Sequence, residues 1–231
     1  MPTKKFEMSP SVSILIAGII IAGAIVLASR TGSGAPANLA AANAALPLPT
    51  KLDIRPPSAT DHIVGSPTAA IVLVEYSDFQ CPFCTMIHPT LQKIVDNSQG
   101  EIAWVMRQLP LTSIHPQAEP AAHAAECIAA LAGNDAYWKY TDAVFANQAK
   151  LSSEYSAQLA SQFGIDTAKF ATCVSSKQYQ PRIDADTNEA MSSGANGTPF
   201  TVIVNTKTGK MVPVSGALPE AQFLSAINSV K

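Results

Sequence analysis

Residues 70–84 read AIVLVEYSDFQCPFC, an apolar, β-branched run that passes through a short polar link into Cys81-Pro82-Phe83-Cys84. The run has the length and composition of a buried central strand. Beyond it Met86, Ile87, Leu91 and Ile94 recur near helical spacing, so a helix is expected from Cys81 to about Val95. A cysteine pair at such a junction has a specific physical consequence. The first turn of a helix leaves N–H groups free and carries positive potential, which stabilises a thiolate. Cys81, at the helix entrance, should feel this most and ionise at lower pH than a free thiol. Pro82 suits the first turn, where its missing N–H is not needed. The two-residue gap lets both sulfurs lie within disulfide reach on one turn. Thiol–disulfide exchange needs this arrangement: an exposed thiolate to attack or leave, and a second thiol to resolve the mixed disulfide.

Two blander readings compete. A structural zinc site needs four ligands, and no second Cys-x-x-Cys or Cys-x-x-His is present, so Cys127 and Cys173 would have to supply the rest. A purely structural disulfide across a two-residue gap would stabilise little through chain entropy. The strand-to-helix placement favours redox chemistry.

Working outward, residues 101–108 (EIAWVMRQ) read as a second strand. The stretch from Pro116 to about Gly133 is Ala-rich and helical, and further short helices are expected over 136–147, 152–164, 166–175 and 182–193. Residues 200–205 (FTVIVN) and 211–214 (MVPV) read as two strands joined by a Thr-Lys-Thr-Gly hairpin signal, and 219–230 as a closing helix. Strands at both ends with helices between them imply one α/β sheet carrying a helical insertion at about 116–193.

The chain has 231 residues, 47% of them apolar and 14% charged, with a formal net charge of -2. That is enough to bury a full core, and it argues against nucleic acid as the main partner, which needs clustered Lys and Arg. Residues 11–29 (SVSILIAGIIIAGAIVLAS) contain no charge. As a helix they would span ~28 Å, about the hydrocarbon thickness of a bilayer. Lys4 and Lys5 precede the run and Arg30 follows it, which favours a cytoplasmic tail over 1–10. A cleaved signal peptide is the rival. Its apolar core would be shorter, and the candidate cleavage site Ala42-Asn43-Ala44 lies well beyond the run. An uncleaved transmembrane signal-anchor at 11–29 is therefore expected, with residues 30–58, rich in Ala and Pro, as a flexible tether and 59–231 as the exported domain.

The segment Glu75 to Cys84 resembles the active-site segment of DsbA-like, thioredoxin-fold thiol–disulfide oxidoreductases. Asp61-His62-Ile63-Val64-Gly65-Ser66-Pro67 resembles the lead-in strand of membrane-anchored members, and Gly197-Thr198-Pro199-Phe200 their cis-proline loop. The resemblance covers about Asp61 to Lys231. It implies a thioredoxin fold with an inserted helical domain, a cis bond before Pro199, and a loop lying against the Cys81 and Cys84 sulfurs. Thr198 would there offer backbone hydrogen bonds to a bound peptide. Read alone, Thr198-Pro199 is an ordinary loop before a strand.

Glu75 is an acid inside an apolar run. If buried it rises in pKa and could take or return the proton of Cys84; a strand-end glutamate pointing to water is the other reading. Similarity to the family's buried acid favours the proton role. Asp78 reads as a turn residue. Phe83 stands where the best-known oxidase has histidine, and it can neither donate a hydrogen bond nor carry charge to the thiolate. Cys127 and Cys173 are expected to pair in an exported domain, with two buried thiols as the alternative. His88, one turn beyond Cys84, and His115 are taken as structural, while His62 and His123 give no signal. Four scattered histidines without close acidic partners make a poor metal site. Trp104 and Trp138 read as core.

The function expected is extracytoplasmic disulfide formation in exported proteins. A reductase or isomerase running the same residues backward, and a non-catalytic peptide-binding module, are the alternatives. No cofactor is implied, the resemblance suggests a quinone-linked membrane redox partner, and no segment reads as a dimerisation domain, so a monomer is expected.

Overall fold

The computed structural model describes residues 52–231. The expected anchor at 11–29 and most of the tether lie outside the described residues. Among the described residues no helix is long and apolar enough to cross a membrane.

Five strands form one sheet: β1 (His62–Val64), β2 (Ile71–Ser77), β3 (Ile102–Gln108), β4 (Phe200–Asn205) and β5 (Met211–Ser215), in the order β1-β3-β2-β4-β5. β2 and β3 run parallel, with Ile71 opposite Ile102 and Ser77 opposite Gln108, and the other pairs are antiparallel. The connection between the parallel strands is helix α1 (Pro82–Asp96), as a parallel crossover requires. Between β3 and β4 lie α2 (Ala118–Ala132), α3 (Asn134–Ala146), a 3-10 turn (Gln148–Lys150), α4 (Ser153–Gln162), α5 (Thr167–Ser176) and α6 (Gln180–Ser192). Helix α7 (Glu220–Val230) closes the chain.

Both central strands are buried along their whole length, so alternation sorts their residues between two cores. Ile71 and Leu73 of β2 join Trp104 and Met106 of β3, the inner face of α1, helices α2–α5 and Phe223 and Ile227 of α7. Val72, Val74 and Tyr76 join Ala103, Val105, Phe200, Val202 and Ala190 of α6 in the second core. Each fully buried large apolar side chain contributes ~2–3 kcal/mol. Glu75 thus falls on the face shared with Cys84. Gly65 follows β1 with φ +91°, and a Cβ there would stand 2.9 Å from the Ile102 carbonyl oxygen, so only glycine fits.

The structure corrects the expected domain boundary. The last part of the supposed tether packs on the domain: Ile54 is buried in the second core, and Arg55 pairs with Asp186 and Glu189 of α6. The prolines there bar regular structure but not packing, and an isoleucine among them had a socket to fill.

Arg107 of β3, which faces the second core, is a further surprise of an apolar-looking strand. It binds both oxygens of Asp61 at 2.9 and 3.0 Å, and it also meets Glu189 and the Tyr76 hydroxyl. A buried guanidinium requires such a set of acceptors, and α6 supplies part of it from across the fold.

Candidate active site

Cys81 is the N-cap of α1, with extended backbone, and Pro82 opens the helix. The turn leading to it is pinned from three directions. Asp78 accepts the Gln80 N–H on Oδ1 at 2.7 Å, and the Leu111 N–H and His115 Nδ1 on Oδ2, each at 2.8 Å. Gln80 accepts the Gln117 N–H at 2.7 Å. From the 3-10 turn of the insertion, Gln148 Nε2 donates to the carbonyls of Phe79 at 3.0 Å and Cys81 at 2.9 Å. The inserted helices therefore hold the redox loop in place directly.

Both thiols are free. The Thr198–Pro199 peptide is cis, and the Thr198 carbonyl accepts from Cys81 Sγ at 3.4 Å. The Asp78 N–H donates to Cys84 Sγ at 3.5 Å. Cys81 is only 3% exposed, which corrects the expectation of an exposed thiolate: the proline loop lies against it. Phe83 and Met86, 55% and 62% exposed, leave an apolar surface beside it.

The two thiols are pushed in opposite directions. The Cys84 thiol hydrogen-bonds Cys81, and this outweighs burial; with help from the Phe83 and Cys84 N–H groups it lowers Cys81 to about 5. Burial holds Cys84 well above the ordinary thiol range, and the hydrogen bond with Cys81 and the charge of Glu75 add to it. At neutral pH Cys81 is thus a thiolate and Cys84 a thiol.

Glu75 does not point to water. It is 1% exposed; Trp104 Nε1 donates to Oε2 at 2.9 Å, and the Ser77 hydroxyl also acts on the carboxyl. Oε1 has no protein partner. Burial raises its carboxyl to about 7, with the Ser77 hydroxyl, the charge of His88 and the Trp104 bond opposing.

The structure brings Cys81, Cys84, Pro82, Thr198 and Pro199 to one place, with Glu75 behind them acting on Cys84 through its charge. Phe83 turns to the surface. Cys127 and Cys173 form a disulfide that joins α2 to α5. Three points differ from the sequence reading. The histidines do have acidic partners: His62 meets Glu126 at 3.0 Å, His88 meets Asp142 at 2.7 Å and His115 meets Asp78 at 2.8 Å. Asp78, taken for a turn residue, ties the redox loop to the segment after β3 as well. Gln148 gave no signal, because a neutral residue in a distant segment is visible only once the insertion folds over the loop.

The family model described as Thioredoxin matches residues 57–228. Among solved structures, DsbA2 of Pseudomonas aeruginosa is 28% identical with a TM-score of 0.65, over 77% of this chain and 97% of that one. A DsbA1 of Wolbachia pipientis (21% identical, TM-score 0.65, 75% and 92% covered) shares the fold. So does a thioredoxin-like oxidoreductase of Silicibacter pomeroyi (22%, TM-score 0.62, 72% and 90%). The curated relatives carry a different name. A Na(+)/H(+) antiporter NhaA 3 of Salinispora tropica is 35% identical over 146 residues, which is 63% of this chain but 22% of that protein. One from Mycolicibacterium gilvum is 34% identical over 64% of this chain and 24% of its own length. The chain spans about a fifth to a quarter of the length of these relatives.

Proposed function

The chain belongs to the thioredoxin family, with a DsbA-like fold, and on that premise we propose that it forms disulfides in exported proteins through Cys81 and Cys84. The observation that carries the direction is the opposed protonation of the two sulfurs. A low-pKa Cys81 is a good leaving group, and a stabilised thiolate favours the dithiol form, which makes the disulfide an oxidant. A substrate thiolate attacks Cys81 Sγ, the Cys81–Cys84 bond breaks, and its electron pair passes to Cys84, which takes a proton from Glu75. A second substrate thiolate then attacks the substrate sulfur of the mixed disulfide, and Cys81 leaves as thiolate. The substrate is oxidised and the cysteine pair reduced.

Pro82 and the Thr198–Pro199 loop fix the geometry of this step, with the Thr198 backbone placed to pair with a substrate backbone. Phe83, with Met86, offers that substrate apolar contact. The proposal places the domain outside the cytoplasm, held by residues 11–29, because the Cys127–Cys173 disulfide suits an oxidising compartment. Reoxidation falls to a quinone-linked membrane partner. Cation–proton exchange is not carried over from the antiporters, since the match covers so little of their length.

The test is the midpoint potential of Cys81–Cys84, obtained by equilibrating the full chain with glutathione buffers and tracking Cys81 alkylation. The expected value lies above about −180 mV. A value near −270 mV, roughly that of thioredoxin, would overturn the oxidase direction in favour of a reductase or isomerase.

A further inference from the structure

We propose that His88 and Asp142 form the proton path between the buried Glu75–Cys84 pair and solvent, with His88 as a positioning residue that acts through Glu75. This deepens the exchange reading above and rests on it. Each turnover moves one proton to or from Cys84, and the acid behind it is sealed from water, so a renewal route is required. Among the buried polar atoms there without a partner of good geometry are Glu75 Oε1, His88 Nδ1 and the Ser77 hydroxyl, which lies beside both Glu75 and Cys84. Glu75 and His88 share one indole: Trp104 donates to Glu75 from Nε1, and the His88 ring stands edge-on to it at 4.9 Å between centroids. The charge of His88 acts directly on the Glu75 carboxyl.

The other end of the imidazole leads outward. His88 Nε2 meets Asp142 Oδ1 at 2.7 Å, and the Asp142 side chain is 61% exposed. A carboxylate accepts only, so it fixes the N–H on Nε2 and leaves Nδ1 as an acceptor turned to the interior. Protonated Glu75 can then pass its proton toward Nδ1 across the gap between these two unpartnered atoms, which is wider than a hydrogen bond, while Nε2–H exchanges at the surface beside Asp142. When Cys84 leaves the disulfide, Glu75 gives it a proton and becomes a carboxylate. His88 first takes a second proton from solvent; as imidazolium it returns the Nδ1 proton to Glu75 and is left neutral with its Nε2–H beside Asp142. The reverse direction empties the same path.

The other charged groups leave the path to these residues. On its own helix His88 has the cysteine pair. β2 contributes Glu75, and β3 turns Arg107 to the opposite face of the sheet. α3 contributes Asp142, and its Phe145 ring packs at 5.0 Å. Lys93, on the same helix, is joined to Glu220 of α7 at 2.7 Å.

The experiment is single-turnover reduction of the oxidised full chain by dithiothreitol, from pH 5 to 9, in wild type, His88→Gln and Asp142→Ala. Asp142 is exposed, so its variant keeps the test open if His88→Gln fails to fold. The expected result is a rate about tenfold lower in His88→Gln, confined to the range around and above the Glu75 midpoint. Asp142→Ala should show a smaller loss in the same range. The midpoint potential and the pH profile of Cys81 alkylation should not move. A uniform loss across pH, or a shifted potential, would show a merely structural histidine and overturn the path while leaving exchange intact. A wild type that does not exchange with dithiothreitol at all would overturn both.

Discussion

Glu75 and Glu126 are sealed to nearly the same degree on the same side of the sheet, 1% and 2% exposed, yet their carboxyls move in opposite directions. Burial pushes both up. For Glu126 the His62 hydrogen bond, the charges of His62 and Arg182, and Gln108 overcome that push and hold it below the ordinary value. Gln108 reaches its second oxygen at 3.2 Å and also the Tyr137 hydroxyl, and His62 stacks on Tyr137 at 3.7 Å. Glu75 has only the neutral Trp104 indole and Ser77 hydroxyl as donors, and burial prevails. The partner set, not the depth, decides whether a buried acid is a strut or a proton store.

Breaking the paired site should have the largest effect. Glu126→Gln strips His62 and Arg182 of their shared anion and should cost ~3–5 kcal/mol at pH 7, read by urea unfolding. The folded pKa lies below the unfolded one. Its stabilisation is therefore complete above the unfolded value of about 4.5 and lost as pH falls through the folded value. The variant should lack that acid-side loss; a variant as stable as wild type at pH 7 would refute the strut assignment.

Glu75→Gln should go the other way. The folded carboxyl is raised to about 7 against 4.5 unfolded, so stability is fully present below 4.5 and declines as pH rises through 7. Removing the acid should restore up to ~3 kcal/mol at pH 8 and almost nothing at pH 4, while slowing exchange. Equal melting shifts at the two pH values would mean that the carboxyl is not stored as a neutral acid. The smallest effect sharpens the contrast at the surface. Asp142→Ala removes an exposed partner of His88 and should cost less than ~1 kcal/mol by thermal melting. A larger loss would make Asp142 a structural anchor rather than a path to solvent.

Much of the fold is legible in the chain because it is written in local terms. The run at 70–76 and FTVIVN at 200–205 lie within a residue of β2 and β4, since continuous apolar, β-branched stretches bounded by turn residues have few other uses. The helix after Cys81 continues to Asp96 despite Pro89, because tertiary packing of Ile87, Leu91 and Ile94 outweighs the one backbone bond that proline withholds. His62, by contrast, carried no signal, since its meaning comes from Glu126, 64 residues away.

By itself the sequence determined the Cys81–Cys84 spacing, its strand-to-helix placement and the succession of strands and helices along the chain, because local pattern fixes them. Only the tertiary structure decided which buried groups are satisfied. It brought Gln148 onto the Cys81 carbonyl, covered the Cys81 sulfur with the Thr198–Pro199 loop, gave Glu126 the His62 ring and the Arg182 guanidinium and left Glu75 with a free oxygen. Those outcomes depend on partners far apart in the chain, and an acid's charge state follows from what surrounds it rather than from what flanks it.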